Sequence, residues 1–269
     1  MTDEAGIKFE LDGGVMWMRL NRPSVGNSLD PWCIDNLTQQ LIDADANPEV
    51  RAIAILGSGK NFCTGADLRP PSDGGEDKVT TAPNPLDYRK GLTKVQNIFR
   101  TMWEIETPII TGVNGNVMGI GNLLALCGDL VVASESARWR QWFTSIGMMP
   151  HGGDIYFLPR IVGLHRALQL ACLDEPMTSQ QLHDWGVVYK VVPADEVEAA
   201  TRETAERVAK GATRSIGQAR RLYRRSIDND ITTVLNAEMD AIGLVSTTSD
   251  RFEGVLAARE RRPAEFKGN

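Results

Sequence analysis

The strongest constraint on how this chain can fold is a repeated alternation of short apolar runs with helical stretches. Val15 to Leu20 and Arg51 to Leu56 read as strands, and the Ala-Ile-Ala-Ile-Leu run of the second predicts near-complete burial. Between them, Asp30-Pro31 has the form of an N-cap followed by proline at the first helical position. Ile34, Leu37, Leu41 and Ile42 continue at helical spacing, and Asn47-Pro48 ends the element. The unit recurs. Leu86 to Glu104 reads as a helix and Ile109 to Val113 as a strand; Asn122 to Cys127 then reads as a short buried helix and Leu130 to Ala133 as a further strand. Such alternation predicts an α/β fold with helices packed on sheet.

The chain of 269 residues, 42% hydrophobic and 24% charged, can bury a sizeable core without staples. Its net charge of −6 argues against a nucleic-acid protein, which is normally basic. No apolar run approaches the roughly 20 residues of a membrane helix. The opening MTDEAGIKFELDGG has neither a basic nor an apolar leader region, so no secretory signal is expected. Cys33, Cys63, Cys127 and Cys172 lie far apart without a CxxC pair. Neither a metal cluster nor a disulfide framework is expected, and reduced thiols fit a cytoplasmic protein. Pro70 to Pro85 lacks periodicity and reads as a long exposed loop, either a functional lid or a plain insertion. From about Asp195 the chain is expected to be helical. Its cluster of Arg214, Arg220, Arg221, Arg224 and Arg225 reads as a solvated or subunit-facing surface.

Two glycine-containing segments follow buried strands: Gly57 to Leu68 and Asn114 to Asn122. Glycine lets backbone approach closely, so two such turns side by side can aim two N–H groups at one oxygen, as an oxyanion hole does. A helix opening near Gly121 would add its positive end. The same spacing also suits ordinary tight turns into helices.

The segments LNRPSVGNSLD, GKNFCTGADLR, TPIITGVNGNVMGIG and LCGDLVVASESARW, followed by IGMMPHGGD, LPRIVGLHRAL and DWGVVYKVVP, strongly resemble the crotonase (enoyl-CoA hydratase/isomerase) superfamily. The resemblance spans nearly the whole chain and implies a spiral of ββα units over residues 1–194. It also implies a helical region, 195–269, used in assembly as a homotrimer or a hexamer built from two trimers. The implied ligand is a coenzyme A thioester, with no cofactor beyond the coenzyme A of the substrate. Carried onto this chain, the backbone N–H groups that hold the thioester carbonyl are those of Ala66 and Ile120. Arg22, Arg69 and, from a neighbouring subunit, Arg261 stand where family members place cations near the coenzyme A phosphates.

The chain departs from that pattern where the chemistry is. Hydratases of the family position water between two glutamates. The matching residues are Leu123 and Phe143, neither of which transfers a proton. The substitute suggested by the sequence is His151 as general base with Asp154 as its orienter, in Pro150-His151-Gly152-Gly153-Asp154; the competing reading makes Asp154 a helix cap and His151 a surface residue. Trp139, Trp142, Phe143, Met148 and Met149 divide between core and acyl pocket, with Leu123, Trp142, Phe143 and Met148 assigned to the pocket; Glu106 is a further candidate to approach it. Three functions are compatible: an enzyme acting through an oxyanion-stabilised thioester enolate, a catalytically silent acyl-CoA binder, or a thioester or C–C hydrolase using His151 and Asp154.

Overall fold

The computed structural model describes residues 6–69 and 84–269. Its elements repeat the order strand, strand, helix. They are β1 (Ile7–Asp12), β2 (Val15–Leu20), α1 (Pro31–Ala46); β3 (Ala52–Gly57), β4 (Asn61–Cys63), α2 (Pro85–Glu104); β5 (Ile109–Val113), β6 (Asn116–Met118), α3 (Ile120–Leu126); and β7 (Leu130–Ser134), β8 (Arg138–Arg140), α4 (Asp154–Val162). There follow α5 (Leu164–Leu173), β9 (Met177–Thr178), α6 (Ser179–Asp184), β10 (Lys190–Val192), α7 (Val197–Ala209), α8 (Thr213–Ser226), α9 (Ile231–Val245) and α10 (Ser249–Glu260). The first strands of the units, together with β2 and β10, build a six-stranded sheet in the order β1-β2-β3-β5-β7-β10. The second strands β4, β6 and β8 build a smaller sheet closed by β9. This is the expected ββα spiral.

Local chemistry accounts for the boundaries. Asp30 accepts a 2.8 Å hydrogen bond from Cys33 N and starts α1, with Pro31 at its first position. Asn84 does the same for α2 by accepting from Leu86 N at 2.9 Å. Pro85, read as the end of a loop, is therefore the first residue of a helix; residues 70–83 of that loop lie outside the described residues. The hairpin β1–β2, which the apolar pattern did not reveal, turns on Gly13 and Gly14 with φ of 58° and 78°, the two left-handed positions of a type I′ turn.

The large sheet is covered on both faces. One carries the main core with Ile53, Ile55, Phe62, Phe99 and Leu124. On the other, α7 lays Ala205 and Ala209 against Val15, Trp17, Ala52 and Ala54. Helix and sheet come so close that a Cβ at Gly112 would stand 2.4 Å from Thr201 Oγ1. The basic face of α8 departs from expectation: Arg220 and Arg224 turn inward. Arg220 bonds Asp129 at 2.7 Å and the carbonyls of Met102 and Ile105; Arg224 bonds Met102 O at 2.6 Å and Cys127 O at 3.0 Å. These carbonyls end α2 and α3, where no intrahelical donor reaches them and a cation is favoured.

Candidate active site

The small sheet brings the two glycine turns together. β4 and β6 run parallel, with Asn61 opposite Asn116 and Cys63 opposite Val117. The approach requires bare backbone: a Cβ at Gly115 would lie 1.8 Å from Lys60 O, and one at Gly121 would lie 2.4 Å from Cys63 O. Beyond the strands, Gly65 (φ 94°) and Gly119 (φ 54°) meet, both in conformations that L side chains rarely adopt.

Ala66 makes an isolated parallel bridge with Leu29. Leu29 N–H donates to Gly65 O at 2.8 Å, and Asp67 N–H donates to Leu29 O at 3.0 Å. In a parallel pairing this leaves the N–H and C=O of Ala66 itself turned away from Leu29. Ile120 opens α3, so its N–H has no acceptor within the helix. Among the described residues neither N–H donates to a backbone carbonyl. Two unspent donors therefore stand on turns that touch.

Next to Ala66, Asp67 accepts from Arg22 at 2.9 Å and from Arg69 at 2.6 Å, and the two guanidinia, Arg69 first, hold its carboxyl far below the usual carboxylate range. Arg22 also donates to Ser28 O at 2.7 Å and lies 3.3 Å from Asp30. Arg22 is thus drawn inward, while the side chain of Arg69 stays 54% exposed. Arg261 lies elsewhere, at the C-cap of α10 with φ 55°.

The segment before α4 forms the other wall. A groove of about 470 Å³ runs between Tyr88 and Leu92 of α2, Met148 and His151, and Tyr156 and Arg160 of α4. Gly152 and Gly153, with φ of 76° and 116°, press this wall onto the start of α3: a Cβ at Gly152 would lie 3.3 Å from Ile120 Cγ2, and one at Gly153 3.7 Å from Leu123 Cδ2. His151 Nδ1 lies 2.9 Å from Met149 O, and its ring stands edge-on to Phe143 at 4.8 Å. A carbonyl only accepts, so Nδ1 carries the hydrogen of that bond.

Asp154 is 3% exposed and does not cap α4, whose N-cap is Gly153 with no side-chain bond. Nor does it orient His151, which is held by the Met149 carbonyl instead. Burial pushes its carboxyl up to about 7, against a smaller downward pull from Gln141. Its Oδ2 and both amide atoms of Gln141 are sealed from solvent without a hydrogen-bond partner.

Leu123 and Phe143 are buried, and Met148 lines the groove. Trp142 is not among the groove-lining residues; its N–H donates to Asp174 Oδ1 at 2.7 Å from a left-handed backbone, φ 57°. Trp139 belongs to the core, bonded to Ser179 Oγ at 3.0 Å. Glu106 faces α8, accepting from Gln218 at 2.8 Å, rather than the groove. Gln141 escaped notice in the sequence, although a lone carboxamide between Trp139 and Phe143 was the available signal. Among the described residues no group of three acidic, histidine or cysteine side chains is placed to hold a metal, and no helix is long and apolar enough to cross a membrane.

Comparison with known proteins bears on this arrangement. The 1,2-epoxyphenylacetyl-CoA isomerase of Escherichia coli (strain K12) is 30% identical over 263 residues, covering 97% of this chain and 98% of that protein. The crotonyl-CoA hydratase of Syntrophomonas wolfei is 28% identical over 248 residues, 92% of each. The crystal structure of an enoyl-CoA hydratase from Bacillus anthracis superposes with a TM-score of 0.88 at 28% identity, covering 98% of this chain and 100% of that one. The family model for enoyl-CoA hydratase/isomerase matches residues 10–269, and with that match the chain belongs to the enoyl-CoA hydratase/isomerase family, within the crotonase superfamily.

Proposed function

We propose that this protein is an acyl-CoA enzyme that stabilises a thioester enolate between the N–H groups of Ala66 and Ile120. The observation that carries this reading is the meeting of two unspent backbone donors at the Gly65–Gly119 junction. Charge that develops on a thioester oxygen would be received there by dipoles already in place. The acyl group would lie in the groove between α2 and α4, with Leu123, Phe143 and Met148 around it. Arg69, with Arg22 behind it, would serve the phosphates of coenzyme A, joined by Arg261 of a second copy. No cofactor beyond that coenzyme A enters the reading.

The two glutamate positions hold buried Leu123 and Phe143, so another group moves the proton. Asp154 takes that role in our reading: its buried carboxyl follows directly on the groove-lining Gly152 and Gly153, and a pKa near the working pH is what an acid–base group needs. His151, on the groove wall with Nδ1 bonded to Met149 O, is the second acid–base group.

Assembly fits the same reading. Tyr223, Ile231, Met239, Ile242 and Phe252 are all more than half exposed on or beside α8, α9 and α10, an apolar surface suited to burial in a homotrimer or a dimer of trimers. A cytoplasmic location agrees with the four unpaired cysteines.

Mass spectrometry of acyl- and enoyl-CoA thioesters incubated in deuterated water tests the proposal. Deuterium at carbon, gain of water or release of free coenzyme A supports an enzyme and names its reaction. Binding without any of these supports the silent binder, which Leu123 and Phe143 would also suit. Absence of binding overturns the site.

A further inference from the structure

Between the Ile120 turn and His151 the chain passes through one sharp bend. β8 ends at Arg140, whose carbonyl accepts from Gly119 N at 3.1 Å. Two residues later Trp142 takes a left-handed backbone, φ 57°. Phe143 follows, and its carbonyl closes the next turn by accepting from Ile146 N at 3.1 Å and Met148 N at 3.0 Å. Met149 O then holds His151 Nδ1 at 2.9 Å, while the Phe143 ring stands 4.8 Å from the His151 ring. The bend at Trp142 thus leads to the groove-lining His151 by two routes, one along the backbone and one through a ring contact.

A bulky residue in the left-handed region is costly, and such a backbone persists only where its surroundings over-determine it. The group that holds this one is a carboxylate from another element: Asp174 Oδ1 accepts from Trp142 N at 2.7 Å. Asp174 stands at the C-cap of α5, 4% exposed and itself left-handed with φ 48°. Among the described residues four that are not glycine have positive φ, and these two are bonded to each other. Arg140 fixes Asp174 in turn, donating from Nε to Asp174 O at 3.0 Å and standing 3.5 Å from Oδ2. A left-handed helix end is ordinarily the place of a glycine. What aspartate adds there is the carboxylate that Trp142 uses.

We propose that Asp174 is a positioning residue for His151, acting through Trp142 and Phe143. With the carboxylate in place the bend is held, the turn from Phe143 to Met148 stays closed, and His151 keeps its edge-on contact with Phe143. Without it Trp142 relaxes toward an ordinary backbone and Phe143 shifts against His151. The role rests on the proposed function, in which His151 is the second acid–base group.

Two variants separate the carboxylate from the helix end. Asp174→Gly removes the carboxylate while suiting the left-handed backbone, and Asp174→Asn keeps an oxygen that can accept from Trp142 N–H. The chain has three histidines, so nuclear magnetic resonance of protein labelled with ¹³C- and ¹⁵N-histidine reports on each. His165 lies on α5 itself and His183 on α6. In Asp174→Gly the ring signals of His151 should move while those of His165 and His183 stay, and in Asp174→Asn the His151 signals should return toward wild type. A merely structural role at the end of α5 moves His165 and leaves His151 in place. That result, or movement of all three together, overturns the proposal.

Deuterium exchange into a saturated acyl-CoA, butyryl-CoA, gives the kinetic counterpart. Asp174→Gly should lower kcat about tenfold with KM within about twofold, and Asp174→Asn should recover to within about threefold of wild type. Because the loss acts through His151, Asp174→Gly combined with His151→Ala should be no slower than His151→Ala alone; losses that multiply overturn the proposal. Should Asp174→Gly not fold, Arg140→Met loosens Asp174 from a side chain that is 37% exposed. Movement of the His151 signals in that variant supports the role, and unmoved signals overturn it. Wild-type protein that exchanges nothing removes the proposed function, and the histidine spectra alone then decide whether Asp174 positions His151.

Discussion

Gly65 and Gly119 stand back to back where the two turns join: a Cβ at Gly119 would lie 3.9 Å from Gly65 Cα, while one at Gly65 would lie 2.9 Å from Met118 O. That contact sets the separation of the Ala66 and Ile120 donors, because each follows one of the two glycines directly. Gly65→Ala combines a left-handed φ of 94° with the clash. Thermal unfolding should show a loss of about 2–4 kcal/mol, and exchange should fall by about a hundredfold or more as one donor leaves its place. Gly91, inside α2 with nothing near its would-be Cβ, is the contrasting case. Gly91→Ala should stabilise by about 0.5–1 kcal/mol.

Asp154 makes stability depend on pH. Its carboxyl titrates at about 7 in the folded protein against 3.8 for the free group, so the folded state holds a proton that the unfolded state has released between those values. Stability should therefore fall as pH rises from about 4 to about 7, by up to about 4 kcal/mol. Asp154→Asn abolishes that slope, so urea unfolding should show the variant gaining on wild type at pH 8 and losing the advantage near pH 4. Its exchange rate should drop by about 10²–10⁴-fold, whereas His151→Ala should lose about tenfold.

Asp129 joins the C-terminal helices to the core. It bonds both Arg220 and Arg224 at 2.7 Å and accepts from Ile109 N at 2.7 Å. Asp129→Ala leaves two guanidinia enclosed, with side-chain exposures of only 5% and 12%. Equilibrium unfolding should register a loss of about 3–5 kcal/mol.

The apolar surface of α9 sets the last expectation. Ile242 is 62% exposed and Met239 64% in the isolated chain. If the proposed trimer or hexamer forms through this face, Ile242→Asp should lower the sedimentation mass toward monomer. Unchanged mass would show that this face is not the one used in assembly.

The legible parts of the fold were those governed by local chemistry. Asp30 and Pro31 announced α1, and strands such as β3 were buried runs long enough to recognise. The three-residue strands β4 and β6 were read as turns, and β8 was not read as an element, because too few residues alternate to leave a period, and they exist only through pairing with one another. Arg220 and Arg224 looked like surface charge for a related reason. Their acceptors are carbonyls at the ends of α2 and α3, distant in sequence, and a helix pattern says nothing of what lies opposite.

The site divides in the same way. That two glycine turns follow buried strands, and that no glutamate occupies positions 123 and 143, is written in the chain itself. The surroundings of Asp154, Gln141 and Trp142 were decided by tertiary structure. A carboxyl next to a helix start is ordinarily a cap held in solvent; here Asp154 follows the left-handed Gly152 and Gly153 and is buried, with 3% exposure. Desolvation and the identity of a partner across the pocket are properties of the folded surroundings, and no spacing within one segment encodes them.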